Sequence, residues 1–144
     1  MRDRAGEVYV VVSGLPGSGK TTVARGLAAA LRLPLFSKDT IKEALMATLG
    51  AKDPTTSRRR GAASVAALLD VAIENGRGVL ESAWQRSLAL EDLRRLPGPC
   101  AEVFCRCDEE VARDRVRSRA EDRHPGHFDL VRLDDVLCAD LTAG

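Results

Sequence analysis

Eight consecutive residues, Gly14-Leu15-Pro16-Gly17-Ser18-Gly19-Lys20-Thr21, satisfy the spacing G-x-x-x-x-G-K-[ST]. Glycines in such a turn let the backbone curl around an oxyanion with several N–H groups pointing inward. A helix that starts at the end of the turn adds the positive end of its dipole. The ligand this chemistry suits is a polyphosphate such as ATP, with Lys20 reaching the β- and γ-phosphates and the Thr21 hydroxyl ligating Mg²⁺. Gly14, Pro16, Gly17, Ser18 and Gly19 shape the cradle, and Thr22, next along, completes it in a structural part.

Other residues could act on a bound triphosphate. Passing a γ-phosphate to a hydroxyl needs a group that orients the acceptor and takes its proton, and such groups converge at the carboxyl ends of neighbouring strands. Asp39 occupies that place after the second apolar segment, with Lys42 one helical turn on and able to face the same acceptor; the plainer reading of Asp39 is a helix cap. Glu81, after the third apolar segment, suits a water-bridged metal or the substrate, or is a plain strand-end carboxylate. Trp84, the one tryptophan, suits stacking on an acceptor ring or packing. Arg113, Arg115, Arg117 and Arg119 precede Arg123-His124-Pro125-Gly126-His127. Arg115, Arg119 and Arg123 share one helix face, and a lid over about residues 115–127 would bring Arg119 and Arg123, then Arg115, to the charge that spreads over the transferring phosphoryl group. Arg113 and Arg117 are expected to pair with neighbouring acids, and the histidines to shape the lid rather than bind metal. Arg58-Arg59-Arg60 reads as a solvated run.

The elements that must position these residues alternate in period, which predicts an α/β sandwich of three layers around a parallel sheet. Val8–Val12 is a β-branched central strand. A helix from about Gly19 to Leu31 carries Val23, Leu27 and Leu31 at four-residue spacing. Residues 33–36 form a short strand, and the next helix, capped by Ser37 or Asp39, carries Ile41, Leu45 and Leu49 and closes at Gly50. Residues 51–56 are a loop. A third helix then runs to about Glu74 with Val65, Leu68, Leu69, Ala72 and Ile73 inward, ending at Asn75-Gly76. Val79-Leu80 is the third strand, Leu88–Leu96 a return helix, Ala101–Cys107 the fourth strand, and Asp108–Ala120 a helix with an acidic first turn. A loop over 121–128 and an amphipathic helix through Leu137 finish the pattern.

The 144 residues suit one domain spanning 1–144. With 22 Lys and Arg against 21 Asp and Glu, no global field draws nucleic acid or an anionic membrane. Only five aromatic residues, Tyr9, Phe36, Trp84, Phe104 and Phe128, argue against a nucleic-acid partner as well. No apolar stretch approaches a membrane span and no secretory leader is read, so a cytoplasmic address is expected. Cys100, Cys105, Cys107 and Cys138 fit no zinc or redox spacing; Cys105 and Cys107 are expected as buried thiols on one strand face. A guanine-reading N-K-x-D segment and a D-x-x-G after the third strand are missing, which disfavours a GTPase switch, and ring or transporter ATPases need additional subdomains.

The chain resembles the small P-loop kinases that include chloramphenicol phosphotransferase, the zeta toxins and the kinase domain of polynucleotide kinase. The resemblance rests on Gly14 to Thr21, on Ser37-Lys38-Asp39-Thr40-Ile41-Lys42-Glu43, on Leu80-Glu81-Ser82, and on Arg115 through His127. It implies a P-loop NTPase fold with sheet order 2-3-1-4-5, an ATP- and Mg²⁺-dependent transfer, Asp39 as base or hydroxyl-orienting group, and Lys42 as acceptor-binding group. The acceptor is expected to be a small hydroxylated metabolite, nucleoside or antibiotic. The alternatives are a nucleotide-binding regulator with little turnover and a polynucleotide 5′-hydroxyl kinase. Relatives continue into a fifth strand and an adenine-contacting loop, neither of which is read here. If the sheet has only four strands, the order is 2-3-1-4 and strand four exposes an edge that a terminal segment or a second copy in a homodimer could cover.

Overall fold

The computed structural model describes residues 6–84 and 86–120, together with Asp122 and His127. Strand β1 (Val8–Gly14) is followed by α1 (Lys20–Leu31), β2 (Leu35–Ser37), α2 (Lys38–Leu49), α3 (Pro54–Asn75), β3 (Arg77–Glu81), α4 (Arg86–Leu93), β4 (Cys100–Cys105) and α5 (Glu109–Ala120). The four strands form one parallel sheet, as the alternation of periods predicts, in the order β2-β3-β1-β4 that the resemblance implies.

β1 is central, and its alternate residues face two different helical layers. Tyr9 and Val11, with Leu80 of β3, pack on Leu68, Leu69 and Ala72 of α3 and on Trp84, Ala89 and Leu96. Val10 and Val12, with Val79, pack on Ala24 and Ala28 of α1. Both faces of the strand are thus covered, which is why it reads as an unbroken apolar run. Register places the end of β1 beside the end of β3, with Val12 opposite Glu81, and β2 ends alongside with Ser37 opposite the same residue. Three chain segments therefore deliver their next residues to one edge of the sheet.

The helix faces differ from a strict four-residue spacing. Val23 and Leu31 are 39% and 48% exposed, and Leu49 is 58% exposed. Each four-residue step turns about 40° around a helix, so a set three long leaves the buried face. In α1 that face is Ala24, Leu27 and Ala28, whose short side chains suit a close approach to the valines of β1. In α2 it includes Lys42 and Met46, which face α3 rather than the sheet. Helix α3 begins inside the expected loop, because Pro54 takes the first helical position and Asp53 Oδ1 accepts the Thr56 amide at 2.7 Å. Strand β4 ends at Cys105, so Cys107 does not share a strand face with it. Cys105 is half-buried against the α1 side, Cys107 half-buried and Cys100 exposed, rather than the pair being buried strand thiols. Cys138 and the helix expected through Leu137 lie outside the described residues. Among the described residues, no helix is long and apolar enough to cross a membrane.

Candidate active site

The loop after β1 is held tight. A Cβ at Gly14 would stand 2.6 Å from Ser18 Oγ and 2.8 Å from the Cys105 carbonyl oxygen, and Gly17 and Gly19 take φ of 78° and 87°. These are backbone settings that disfavour side chains. Ser18 N donates to the Leu15 carbonyl at 3.1 Å, and Lys20 Nζ reaches the same oxygen at 3.3 Å. Pro16 is half-buried and Thr22 exposed in the first turn of α1, away from the tight part of the loop.

Electrostatics converge on Lys20. Burial pushes its ammonium below the ordinary 10.5; Glu81 and then Asp39 oppose that shift, while Arg119 and Lys38 add to it. A polyphosphate placed against Lys20 would supply the compensating negative charge. Glu81, buried at the end of β3, accepts from Ser37 Oγ at 2.6 Å and from Thr21 Oγ1 at 3.2 Å. One carboxylate therefore ties together the ends of β2 and β3 and the start of α1. A hydroxyl and a carboxylate this close are hard oxygen donors of the kind Mg²⁺ takes while keeping several of its waters, so Thr21 and Glu81 fit the expected metal. Asp39, in the first turn of α2, keeps an exposed carboxylate with Lys38 Nζ at 3.6 Å.

Two expected substrate contacts are placed elsewhere. Lys42 is 0% exposed and its Nζ donates to Ser57 Oγ of α3 at 2.8 Å, so it joins two helices instead of facing an open acceptor site. Its position on α2 puts it on the side packed against α3, one turn past Asp39. Trp84 belongs to the core, with Nε1 donating to the Leu80 carbonyl at 3.3 Å, rather than offering a ring for stacking. Ser37, read from the sequence only as a cap, is a contact of Glu81 instead; its place directly after β2 was the available signal. Of the residues expected to form a lid, Arg119 is near enough to act on Lys20, and His127 is buried with Nε2 3.0 Å from Glu43 Oε1. Arg113 pairs with Glu109 and Arg117 with Asp114. Arg123 and His124 lie outside the described residues, and the described residues contain no cluster of three or more metal-ligating side chains.

The loop, the converging carboxylates and the sheet order have a counterpart among known proteins. A family described as an AAA domain, AAA_33, matches residues 10–137. The chain belongs to that family. It is a family of P-loop kinases, in agreement with the resemblance read from the motifs. Among curated relatives, the cytidylate kinase of Pyrobaculum neutrophilum is 56% identical over 43 residues, covering 30% of this chain and 23% of its own length. The shikimate kinase of Bradyrhizobium diazoefficiens is 31% identical over 120 residues, covering 78% of this chain and 55% of its own length. The AAA_33 chain thus spans less than a quarter of the first relative and about half of the second. A solved structure from Chloroflexus aurantiacus J-10-fl, provisionally described as a kinase, superposes with a TM-score of 0.79 at 32% identity, covering 88% of this chain and 77% of that one. A gluconokinase from Sinorhizobium meliloti 1021 shares the fold, with a TM-score of 0.59 at 22% identity over 89% of this chain and 74% of that one.

Proposed function

We propose that this AAA_33 chain is an ATP- and Mg²⁺-dependent phosphotransferase that moves the γ-phosphate to a hydroxyl of a small molecule. The observation that carries the reading is the meeting of Lys20, Thr21, Glu81 and Asp39 at the carboxyl edge of β1, β2 and β3. The similarity to a shikimate kinase, and to a solved structure described as a kinase, supports the same class.

In this reading the loop amides and Lys20 hold the phosphate chain, and Thr21 and Glu81 hold Mg²⁺, which when bound neutralises charge on the phosphate oxygens. Asp39 orients the acceptor hydroxyl and takes its proton as the acceptor oxygen bonds to the γ-phosphorus and the bond to the β-phosphate oxygen breaks, releasing ADP. Arg119 stabilises the charge on the transferring group. Lys42 acts by fixing α2 against α3, which sets where Asp39 stands.

The test is ATP consumption against a panel of hydroxylated compounds, with Asp39→Asn beside the wild type. A kinase variant should keep its ATP affinity and lose transfer by about a hundredfold or more. Equal turnover in both proteins would refute the role of Asp39, and no transfer to any acceptor by wild type that binds ATP would favour a nucleotide-binding regulator.

A further inference from the structure

Helix α5 supports the phosphate loop along one face. Val116 is buried against Leu15. Ala112 lies so close beneath Gly17 that a Cβ there would meet the Ala112 carbonyl oxygen at 2.5 Å. Between them, Arg115 Nη1 donates to the Gly17 carbonyl at 3.1 Å, with Cys107 Sγ 3.8 Å from the same nitrogen. Positions 112, 115 and 116 are three and four apart and so share a helix face. The start of that helix is fixed as well, since Asp108 Oδ1 accepts the Glu110 amide at 3.0 Å.

Because a peptide unit is planar, a donor on the Gly17 carbonyl sets the direction of the Ser18 N–H on the opposite side of the same unit. That N–H goes to the Leu15 carbonyl, which also receives Lys20 Nζ. One line of contacts therefore runs from the guanidinium through the 17–18 peptide to the lysine that meets phosphate. We propose that Arg115 is a positioning residue of the cradle, holding the 17–18 peptide and through it Lys20 in the shape that receives a phosphate chain. This is a task distinct from that of Arg119, and it rests on the reading of the loop as a nucleotide site.

The consequence is specific. An arginine that shapes the loop acts on any phosphate chain seated there, whereas an arginine touching the γ-phosphate acts on ATP and spares ADP. Calorimetric titration of wild type, Arg115→Met and Arg115→Lys with Mg·ATP and with Mg·ADP, beside a thermal melt of each protein, separates the two. Arg115→Met should weaken both nucleotides by the same factor, about fivefold for a charged hydrogen bond that is partly exposed. Arg115→Lys, which keeps a donor for the carbonyl, should stay within about twofold of wild type. Unchanged affinities in Arg115→Met, or a loss confined to ATP, would overturn the proposal. So would Arg115→Lys as weak as Arg115→Met, which would mean the carbonyl contact is not what matters. If Arg115→Met does not fold, the two affinities of Arg115→Lys decide, with a loss well beyond twofold or one confined to ATP counting against. Wild type that binds neither nucleotide would instead refute the nucleotide site itself.

Discussion

Burial makes the Lys20 charge costly to keep in the nucleotide-free protein. Its ammonium is pushed below the ordinary value by burial, with Arg119 and Lys38 adding to the effect. Between that lowered value and 10.5 the unfolded chain binds the proton more readily, so this group makes the nucleotide-free protein more stable as pH rises through that window. Lys20→Met should lose Mg·ATP affinity by about ten- to a hundredfold and melt higher than wild type without nucleotide at neutral pH. The difference in Tm between the two should shrink as pH approaches 10.5. Melting curves from pH 7 to 10.5 check this, and the comparison cancels the opposing titration of Tyr9, whose hydroxyl is pushed up by burial. Glu81 belongs to the same scale. Glu81→Gln keeps the shape and removes the charge, so it should weaken ATP binding in the presence of Mg²⁺ much more than in EDTA, as read by paired titrations.

Helices α2 and α3 form the element whose internal ties matter most, because Asp39 stands at the start of one of them. Lys42 is buried in their interface on Ser57. Lys42→Ala should lower stability by about 2–4 kcal/mol through the lost packing and the stranded hydroxyl, while leaving ATP affinity within about twofold. Urea unfolding and ATP titration together distinguish this from a direct ligand contact. At the start of α3, one turn before Ser57, the Asp53 carboxyl is held below its ordinary value by the Thr56 amide. A depressed carboxyl stabilises above its unfolded value, and the contribution disappears as pH falls through the folded one. Asp53→Ala should therefore lower Tm at pH 7 and converge with wild type in strong acid. The signals for this cap, a lone Asp before Pro54, were present in the sequence, but the serines and threonines nearby blurred where the loop ended. Lys42 was harder to place: a lysine one turn after a candidate base invites a substrate role, and only the packing of α2 against another helix rather than the sheet shows why it is enclosed.

Across the whole molecule, the order β2-β3-β1-β4 followed from the resemblance to P-loop kinases, while the parallel sheet itself was legible because the apolar run of residues 8–12, the glycine loop and the alternation of periods all point to it. The cradle and the strand-end carboxylates could be found for the same reason, since their chemistry is fixed by short spacing. What spacing could not show is long-range: Ser37 and Thr21 meet on Glu81 across 44 and 60 residues of chain, and Arg115 reaches Gly17 across 98. Occupancy of the site should act on the entire fold. Mg·ATP at a hundred times its Kd adds about 2.7 kcal/mol of stability, which for a domain of this size raises Tm by roughly 5–10 °C. The most direct measurement of the central claim is calorimetric titration of the folded wild type and of Lys20→Met with Mg·ATP. Saturable heat at a single site in the wild type, lost or greatly weakened in the variant, is the predicted result; no saturation at millimolar nucleotide, or equal binding by both proteins, would contradict it.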